Sequence, residues 1–221
     1  QLAQWAENRV TLSRLFDAAG AITDACPAGI YLDRRGLSIP NSDALRFMPK
    51  LDYWHDGQLL GTFPAMLAAV TSPSGALVSV HRTYITPEGH KAPVPTVKKL
   101  MATAGPMAGT SIKIGAPLAR PDGRLGLGVA EGIETALAAS ILSGVAVWSC
   151  VSAHGLEAFE PPGDVHYLYC FGDHDASGVG QKAASDLAHR AARSGLSARI
   201  WIPEAPGTDW NDELISRRAS V

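Results

Sequence analysis

The chain has 221 residues, of which 46% are hydrophobic and 18% are charged, and its formal net charge is −2. This length and composition fit one large or two small folded domains, and they exclude a disordered tail and a highly charged nucleic-acid coat protein. No apolar run approaches the roughly 18 residues of a membrane span. No signal peptide is visible, and Cys26, Cys150 and Cys170 form no Cys-x-x-Cys zinc motif. We therefore expect a soluble cytoplasmic protein without a membrane partner.

The two halves of the chain carry opposite net charge. Residues 1–124 hold thirteen Lys and Arg against nine Asp and Glu, whereas residues 125–221 hold six against twelve. The basic residues are densest between Arg82 and Lys113, where Glu88 is the single acid. Basic surface attracts phosphates and clustered carboxylates hold divalent cations, but ordinary scatter of surface charge gives similar counts. The charge split alone leaves both interpretations open.

The first half is predicted to begin with two helices and to continue with short strands. Apolar residues from Leu2 to Phe16 recur with a helical period, and a shorter helix starts after Pro27. From Leu45 onward, Gly, Pro and Ser separate β-prone segments, which is typical of a mostly antiparallel α+β subdomain. The predicted strands are residues 59–63, 65–71, 77–83 and 111–114.

The second half alternates unbroken apolar strands with helices, which predicts a parallel sheet covered on both faces. The predicted strands are residues 125–130, 145–150, 165–171 and 198–202, and the predicted helices are 133–142, 156–159, 179–193 and 210–218. The fold class is therefore α/β, with a C-terminal parallel sheet flanked by helices and preceded by a smaller mixed α+β basic subdomain. We predict a boundary in a loop at 115–124, which gives domains at residues 1–115 and 125–221.

Acidic residues directly follow three of the predicted parallel strands. Glu131 comes after the first strand, Asp173 and Asp175 come after the third, and Asp209 and Asp212 come after the fourth. Ligands of parallel sheets bind at the carboxyl ends of the strands, and a site with oxygen ligands only selects Mg²⁺ or Mn²⁺ over zinc. The pattern predicts a divalent-metal site at one edge of the sheet.

Each of these acids also has a purely structural interpretation. Asp173 or Ser177 can cap the helix that follows, and Asp209 can cap the last helix with Asp212 in its first turn. Glu134 is predicted to be an ordinary first-turn helix acid. A single Asp-x-Asp is weak evidence of function, whereas Glu after the first strand and Asp-x-Asp after the third, in that order, is much more specific.

This ordered set of acids resembles the Toprim domain of DnaG-type primases, topoisomerases and related nucleases. The signature of that domain is a strand ending in Glu-Gly, followed by a later strand ending in Asp-x-Asp. The resemblance covers residues 125–215, and residues 131–138 and 209–214 are most similar to Toprim primases of phages, plasmids and other mobile elements. Many relatives have Asp in place of Thr135 and Lys in place of Thr208, so the accessory positions match less well than the central three acids.

The resemblance implies a Toprim catalytic domain at residues 125–221 that performs metal-dependent nucleotidyl transfer. By this resemblance Glu131, Asp173 and Asp175 match the catalytic metal-binding acids, and Asp209 and Asp212 match the acidic tail motif more loosely. The cofactor would be Mg²⁺ or Mn²⁺, and Glu131 is left open as a metal ligand or as a general base toward a 3′-hydroxyl. The function implied is that of a DNA primase, which makes short RNA primers on single-stranded DNA during replication of a mobile element, plasmid or phage.

The first half resembles, less specifically, the basic subdomain that precedes Toprim in primases. Lys98, Lys99 and Lys113 lie where such proteins place nucleotide- and template-contacting lysines, and Arg82 is grouped with them. We expect these four residues to line a groove that faces the acids and to bind phosphates of single-stranded DNA and ribonucleoside triphosphates. For the Lys98–Lys99 pair, a solvated loop is the alternative.

Two other functions stay open at this point. A Toprim nuclease would use the same acids with water as the nucleophile, and a non-catalytic nucleic-acid-binding module would keep the acids to hold a structural metal. The sequence has no Gly-x-x-x-x-Gly-Lys-Ser/Thr motif, so no helicase is expected within these residues. A replicative helicase is left open as a separate partner.

Overall fold

The computed structural model describes residues 1–219, so the last two residues of the predicted domain at 125–221 lie outside it. The chain folds into two compact units. The first unit holds Gln1–Thr71 and Gly75–Pro106, and the second holds Ser72–Ser74 with the chain from Met107 onward. The domains at 1–115 and 125–221 stay predictions, which limited proteolysis would test.

The first unit contains two helices and an antiparallel sheet in the order β1-β2-β3-β4. The helices are α1 (Leu2–Ala18) and α2 (Pro27–Arg34), and the strands are β1 (Leu45–His55), β2 (Gln58–Thr71), β3 (Leu77–Tyr84) and β4 (Lys98–Leu100). Leu12 and Phe16 of α1 are buried in one core with Tyr53 and Tyr84 of the sheet. The two predicted helices of this half are confirmed.

One strand of this sheet runs where the sequence predicted two. The predicted strands 59–63 and 65–71 are continuous in β2, although Pro64 between them has no N–H to donate. The pairing of β1 with β2 becomes irregular directly after Met48, and Pro49 lies at this same place. Both prolines thus lie at the same irregularity in the pairing of β1 with β2, where a missing N–H disturbs the ladder of hydrogen bonds least.

The other strand predictions for this half have mixed outcomes. The predicted strand 77–83 is confirmed in β3, whereas the sequence did not predict β1 or β4. The strand predicted at 111–114 is wrong, because residues 111 and 112 make bridges, of which one joins Ile112 to Ser149, and no strand forms over this segment. The bridge between Ile112 and Ser149 lies in the second unit.

The second unit is built around strand β6, which pairs in parallel with β7 and β8 and antiparallel with a short β5. Strand β9 continues the sheet in parallel beyond β8. The strands are β5 (Leu118–Ala119), β6 (Leu125–Ala130), β7 (Val147–Ser149), β8 (Val165–Phe171) and β9 (Ser197–Trp201). The helices are α3 (Ile133–Ser143), α4 (Ala153–Glu157), α5 (Val179–Arg193) and α6 (Trp210–Ala219). The segment predicted as a loop at 115–124 therefore contains a short strand.

The core of this unit explains why its strands have unbroken apolar sequences. Val129 of β6, Leu168 of β8 and Leu187 of α5 are buried in one cluster, because helices cover the parallel sheet. The predicted fold class is confirmed: a parallel α/β sheet with helices follows a smaller mixed α+β unit. Within residues 1–219, no helix is long and apolar enough to cross a membrane.

Candidate active site

The carboxyl ends of β6 and β8 lie side by side. These neighbouring parallel strands end with Ala130 opposite Phe171, so Glu131 and the Gly172–Asp173 pair leave the sheet at the same edge. Glu131 is half-buried, and its backbone carbonyl accepts a hydrogen bond of 2.9 Å from the Ser149 hydroxyl at the end of β7. The parallel pairing of β6 with β8 therefore brings Glu131 and the Asp-x-Asp segment to one edge of the sheet.

Two glycines let the Asp-x-Asp loop pack tightly against the start of α5. A Cβ on Gly180 would lie 3.1 Å from Oδ2 of Asp175 and 3.2 Å from the backbone N of Asp173. A Cβ on Gly172 would lie 2.7 Å from Cδ1 of Ile202 and 3.0 Å from the Gly180 carbonyl oxygen. Side chains at these two positions would push the loop away from the helix.

Asp175 holds the turn that leads into α5. Its Oδ1 accepts hydrogen bonds from the backbone N–H of Ser177 at 2.8 Å and from the Ser177 hydroxyl, and its Oδ2 accepts from the N–H of Gly180 at 3.1 Å. These hydrogen bonds, with that from the Ser177 side chain first, hold the pKa of Asp175 below its usual value. Asp175 is thus ionised and oriented by the loop in which it lies.

Asp173 has the opposite electrostatic situation. Burial raises the pKa of Asp173 to about 7, and the negative charges of Asp209, Glu131 and Asp175 add to the increase, while a hydrogen bond from Thr135 opposes it. Oδ1 of Asp173 is also buried without a hydrogen-bond partner among residues 1–219. A positive ion beside this carboxyl group would offset both penalties.

Asp209 and Asp212 cap α6 reciprocally. Oδ1 of Asp209 accepts from the N–H groups of Asn211 at 2.8 Å and Asp212 at 2.9 Å, while Oδ2 of Asp212 accepts from the Asp209 N–H at 3.1 Å. The capping interpretation of Asp209 is therefore confirmed. Its charge nevertheless acts on Asp173, so the cap lies close to the candidate site.

The loops that carry Asp173 and Asp209 are hydrogen-bonded to each other. The indole N–H of Trp210 donates to the Gly172 carbonyl at 3.1 Å, and the N–H of His174 donates to the Thr208 carbonyl at 3.0 Å. The N–H of Gly207 in turn donates to the His174 carbonyl at 2.6 Å. The segment before α6 is thereby fixed to the Asp-x-Asp loop.

The acids of this edge supply oxygen donors of the kind that Mg²⁺ and Mn²⁺ prefer. Among residues 1–219, no three His, Cys, Asp or Glu side chains are arranged as a ready-made metal-binding group. The unpartnered Oδ1 of Asp173 and the three carboxylates that act on it still fit a divalent cation. Glu131, Asp173, Asp175 and Asp209 are the residues that could hold it.

Two of the predicted phosphate-binding residues, Arg82 and Lys99, lie on neighbouring strands of the first unit and are paired in register. The guanidinium group of Arg82 donates to the Tyr84 hydroxyl at 3.2 Å and to the Leu100 carbonyl at 3.1 Å. Nζ of Lys99 donates to the Trp54 carbonyl at 2.5 Å. Both side chains therefore also support the sheet in which they lie.

The other two predicted basic residues lie in different units. Lys98 is exposed on β4. Lys113, in the second unit, donates to the Pro73 carbonyl at 3.1 Å and lies 5.4 Å from the ring centroid of Trp148, and desolvation by burial lowers its pKa. The predicted phosphate-binding role of all four basic residues stays a prediction.

Three polar residues near the acids are buried, which the sequence did not predict. Glu134 was predicted to be an ordinary helix acid, yet its side chain is only 3% exposed, and Thr135 and Asn211 are also buried. They lie on α3 and α6, which pack against each other. For Glu134 and Thr135, the signal in the sequence was a polar pair directly before the apolar residues 136–139 of α3.

Two family models match this chain. Residues 126–219 match the model of the Toprim domain. The predicted Toprim resemblance is confirmed. Residues 6–111 match the model described as a domain of unknown function (DUF7146). No curated protein matches the chain significantly.

Solved structures of primase cores are similar to this chain. A DNA primase domain from Pseudomonas aeruginosa is 12% identical with a TM-score of 0.57, over 94% of this chain and 74% of that one. The DnaG primase catalytic domain bound to ssDNA is 12% identical with a TM-score of 0.58, over 99% and 80%. The E. coli primase catalytic core is 12% identical with a TM-score of 0.53, over 98% and 74%. At these identities the similarity shows a shared fold.

Proposed function

We propose that this Toprim-containing chain performs metal-dependent nucleotidyl transfer and acts as a DNA primase, making short RNA primers on single-stranded DNA. The observation that supports the proposal most is the electrostatic state of Asp173. Its buried, unpartnered carboxyl oxygen and the raised pKa caused by burial and neighbouring acids are the conditions that a bound divalent cation relieves. The shared fold with primase cores makes nucleotidyl transfer the reaction class to test first.

Under this proposal, Glu131, Asp173, Asp175 and Asp209 hold Mg²⁺ or Mn²⁺, which supplies charge neutralisation for an in-line displacement at phosphorus. Asp175 is kept ionised by its hydrogen bonds, so it needs no proton loss before it binds the ion. Asp173 must lose its proton to take part, which ties ion binding to pH near 7. Glu131 has either of two roles, metal ligand or general base toward a 3′-hydroxyl.

The basic residues supply the phosphate-binding part of the proposal. Lys98 is exposed on β4. Arg82, Lys99 and Lys113 would have to exchange some of their carbonyl contacts for phosphate contacts. We propose single-stranded DNA and ribonucleoside triphosphates as the ligands. A replicative helicase partner and a role in mobile-element replication follow from the sequence resemblance alone and are part of the same proposal.

One incubation tests the proposed activity. The protein is mixed with single-stranded DNA, all four ribonucleotides (one labelled) and Mg²⁺ or Mn²⁺, and the products are separated on a gel. We expect short labelled oligomers that depend on template and metal. Asp173→Asn should reduce their yield at least about a hundredfold, because neutralising transition-state charge lowers the barrier by several kcal/mol.

Asp164→Asn is the matched control, because it removes one exposed acid just before β8. It should leave the yield unchanged. Shortening of labelled DNA or RNA without added nucleotides would instead identify a nuclease that uses the same acids. Binding of DNA with neither activity would identify a non-catalytic module, and either outcome would overturn the primase proposal.

A further inference from the structure

His174, the middle residue of the Asp-x-Asp segment, makes contacts that its two acidic neighbours do not make. Besides its two backbone hydrogen bonds to the segment before α6, its ring Nδ1 lies 2.8 Å from the carbonyl oxygen of Pro203. Because a carbonyl can only accept, Nδ1 carries the proton and donates. Pro203 is buried and lies shortly after β9. The ring of His174 therefore bonds to the beginning of the segment 203–208, and the backbone of His174 bonds to its end.

These contacts restrain two loops that carry like charges. Asp173 follows β8 and Asp209 precedes α6. Burial is the main cause of the raised pKa of Asp173, and among the neighbouring charges that of Asp209 contributes most. Carboxylates that repel each other separate unless other contacts hold their backbones together. The backbone bonds of His174 with Gly207 and Thr208 fix the loops at one end, and the ring bond to Pro203 fixes them at the other.

We propose that His174 is a positioning residue, whose ring–Pro203 hydrogen bond sets the spacing of the Asp173 and Asp209 carboxylates and thereby the affinity of this edge for a divalent cation. The inference rests on the proposed metal-dependent function and deepens it. It does not depend on the charge of the ring, because Nδ1 donates to the carbonyl in the neutral and the protonated ring alike. Groups that orient metal ligands from outside the coordination shell typically affect metal affinity 10–100-fold.

The test compares three forms of the full chain. His174→Ala removes the ring donor but keeps both backbone bonds, and His174→Asn places an amide N–H near the position of Nδ1. Binding of Mn²⁺ is measured from the loss of the free-ion electron paramagnetic resonance signal, and melting temperatures are measured without metal. We expect about tenfold weaker Mn²⁺ binding in the Ala variant and binding within about threefold of wild type in the Asn variant.

The melting temperature separates positioning from simple stabilisation. Similar metal-free melting temperatures for the Ala and Asn variants, with different Mn²⁺ affinities, would support the inference. Should the Ala variant not fold, His174→Leu fills the volume of the ring without a donor and carries the same expectation. Wild-type Mn²⁺ affinity in the Ala or Leu variant, which lack the ring donor, would overturn this inference and leave the proposed metal site standing. An equal loss of Mn²⁺ affinity in the Asn variant and in a variant without the donor would have the same meaning. Wild-type protein that binds no Mn²⁺ would overturn the proposed metal site and this inference with it.

Discussion

In the folded chain the carboxyl group of Asp173 holds its proton up to a pH of about 7, because burial and the carboxylates of Asp209 and Glu131 oppose its ionisation. The ordinary pKa of the group is 3.8. Between these two values the folded protein binds a proton that the unfolded chain does not bind. Without metal, the stability of the protein therefore falls as pH rises through this window, and the full penalty is present above it.

Replacing this carboxyl group with an amide should remove that pH dependence. Asp173→Asn should raise the melting temperature of the metal-free protein more at pH 8 than at pH 5, because pH 5 lies low in this window and only part of the penalty is present there. Thermal melts in EDTA at both pH values check this. Asp164→Asn serves as control, and an equal shift of the Asp173 variant at both pH values would contradict the electrostatic explanation.

A bound metal ion should offset the free-energy cost of ionising Asp173. Mn²⁺ or Mg²⁺ should raise the melting temperature of the wild type, since the folded state gathers the acids and the unfolded chain does not; at a hundred times Kd the gain is about 2.7 kcal/mol. The double variant Asp173→Asn/Asp175→Asn should show almost no shift. Equal shifts in both proteins would mean that the ion binds elsewhere.

At the scale of the helices, Asp209 combines a cap with a charge, and substitution can separate the two. Asn caps a helix about as well as Asp, whereas Ala does not. Asp209→Asn should therefore keep the stability of α6 but weaken Mn²⁺ binding, and Asp209→Ala should also cost about 1 kcal/mol of unfolding free energy. Urea unfolding and Mn²⁺ titration of both variants check this. Unchanged Mn²⁺ affinity in the Asn variant would leave Asp209 as a cap alone.

The first turn of α5 gives a second test, in which two effects have opposite signs. Ala is a better helix former than Gly by about 1 kcal/mol, so Gly180→Ala would stabilise an unobstructed helix. Here the new Cβ would approach the backbone of Asp173 and the side chain of Asp175. We expect the variant to be less stable than wild type and to bind Mn²⁺ more weakly.

The matched control for this substitution is Gly163→Ala. A Cβ at Gly163 would meet no atom within 4 Å. The control variant should match wild type in melting temperature and Mn²⁺ affinity. A Gly180→Ala protein more stable than wild type would show that the Asp-x-Asp loop moves freely away from α5.

The elements that the sequence predicted well are those whose signals are local. Unbroken apolar runs predicted β6 and β8 to the residue, and their ends in Glu-Gly and Gly-Asp placed the acids at one edge. β4 could not be predicted, because its Lys-Lys-Leu sequence becomes a strand only through pairing with β3. For the same reason, neither the burial of Glu134 nor the bond between His174 and Pro203 could be predicted, since both depend on contacts distant in sequence.

For the whole molecule, the opposite charges of its two halves predict binding to single-stranded DNA that weakens with salt. Each lost phosphate contact should reduce the log–log salt slope by about 0.7. Lys98→Ala should reduce the slope by this amount with an unchanged melting temperature, because Lys98 is exposed. Lys99→Ala should also lower the melting temperature, because Nζ of Lys99 bonds to the Trp54 carbonyl and lies 5.0 Å from the ring centroid of Tyr53.

Lys91→Ala, which removes an exposed charge directly after the turn at residues 87–90, is the control for this experiment. Its slope and melting temperature should match those of the wild type. Binding should fall alike for all DNA sequences in the Lys98 and Lys99 variants, since phosphate contacts carry no sequence information. If the double variant Lys98→Ala/Lys99→Ala binds DNA with wild-type affinity and salt slope, the two lysines are solvated surface residues without a role in binding.

Trp210 gives the candidate site an optical probe of its own. Its indole N–H bonds to the Gly172 carbonyl, and its ring packs edge-on against Phe171 with centroids 5.2 Å apart. Indole emission is sensitive to such neighbours, so intrinsic fluorescence can follow the two loops during a metal titration without any attached dye. The chain has five tryptophans, and the spectrum of Trp210→Phe supplies the background of the other four.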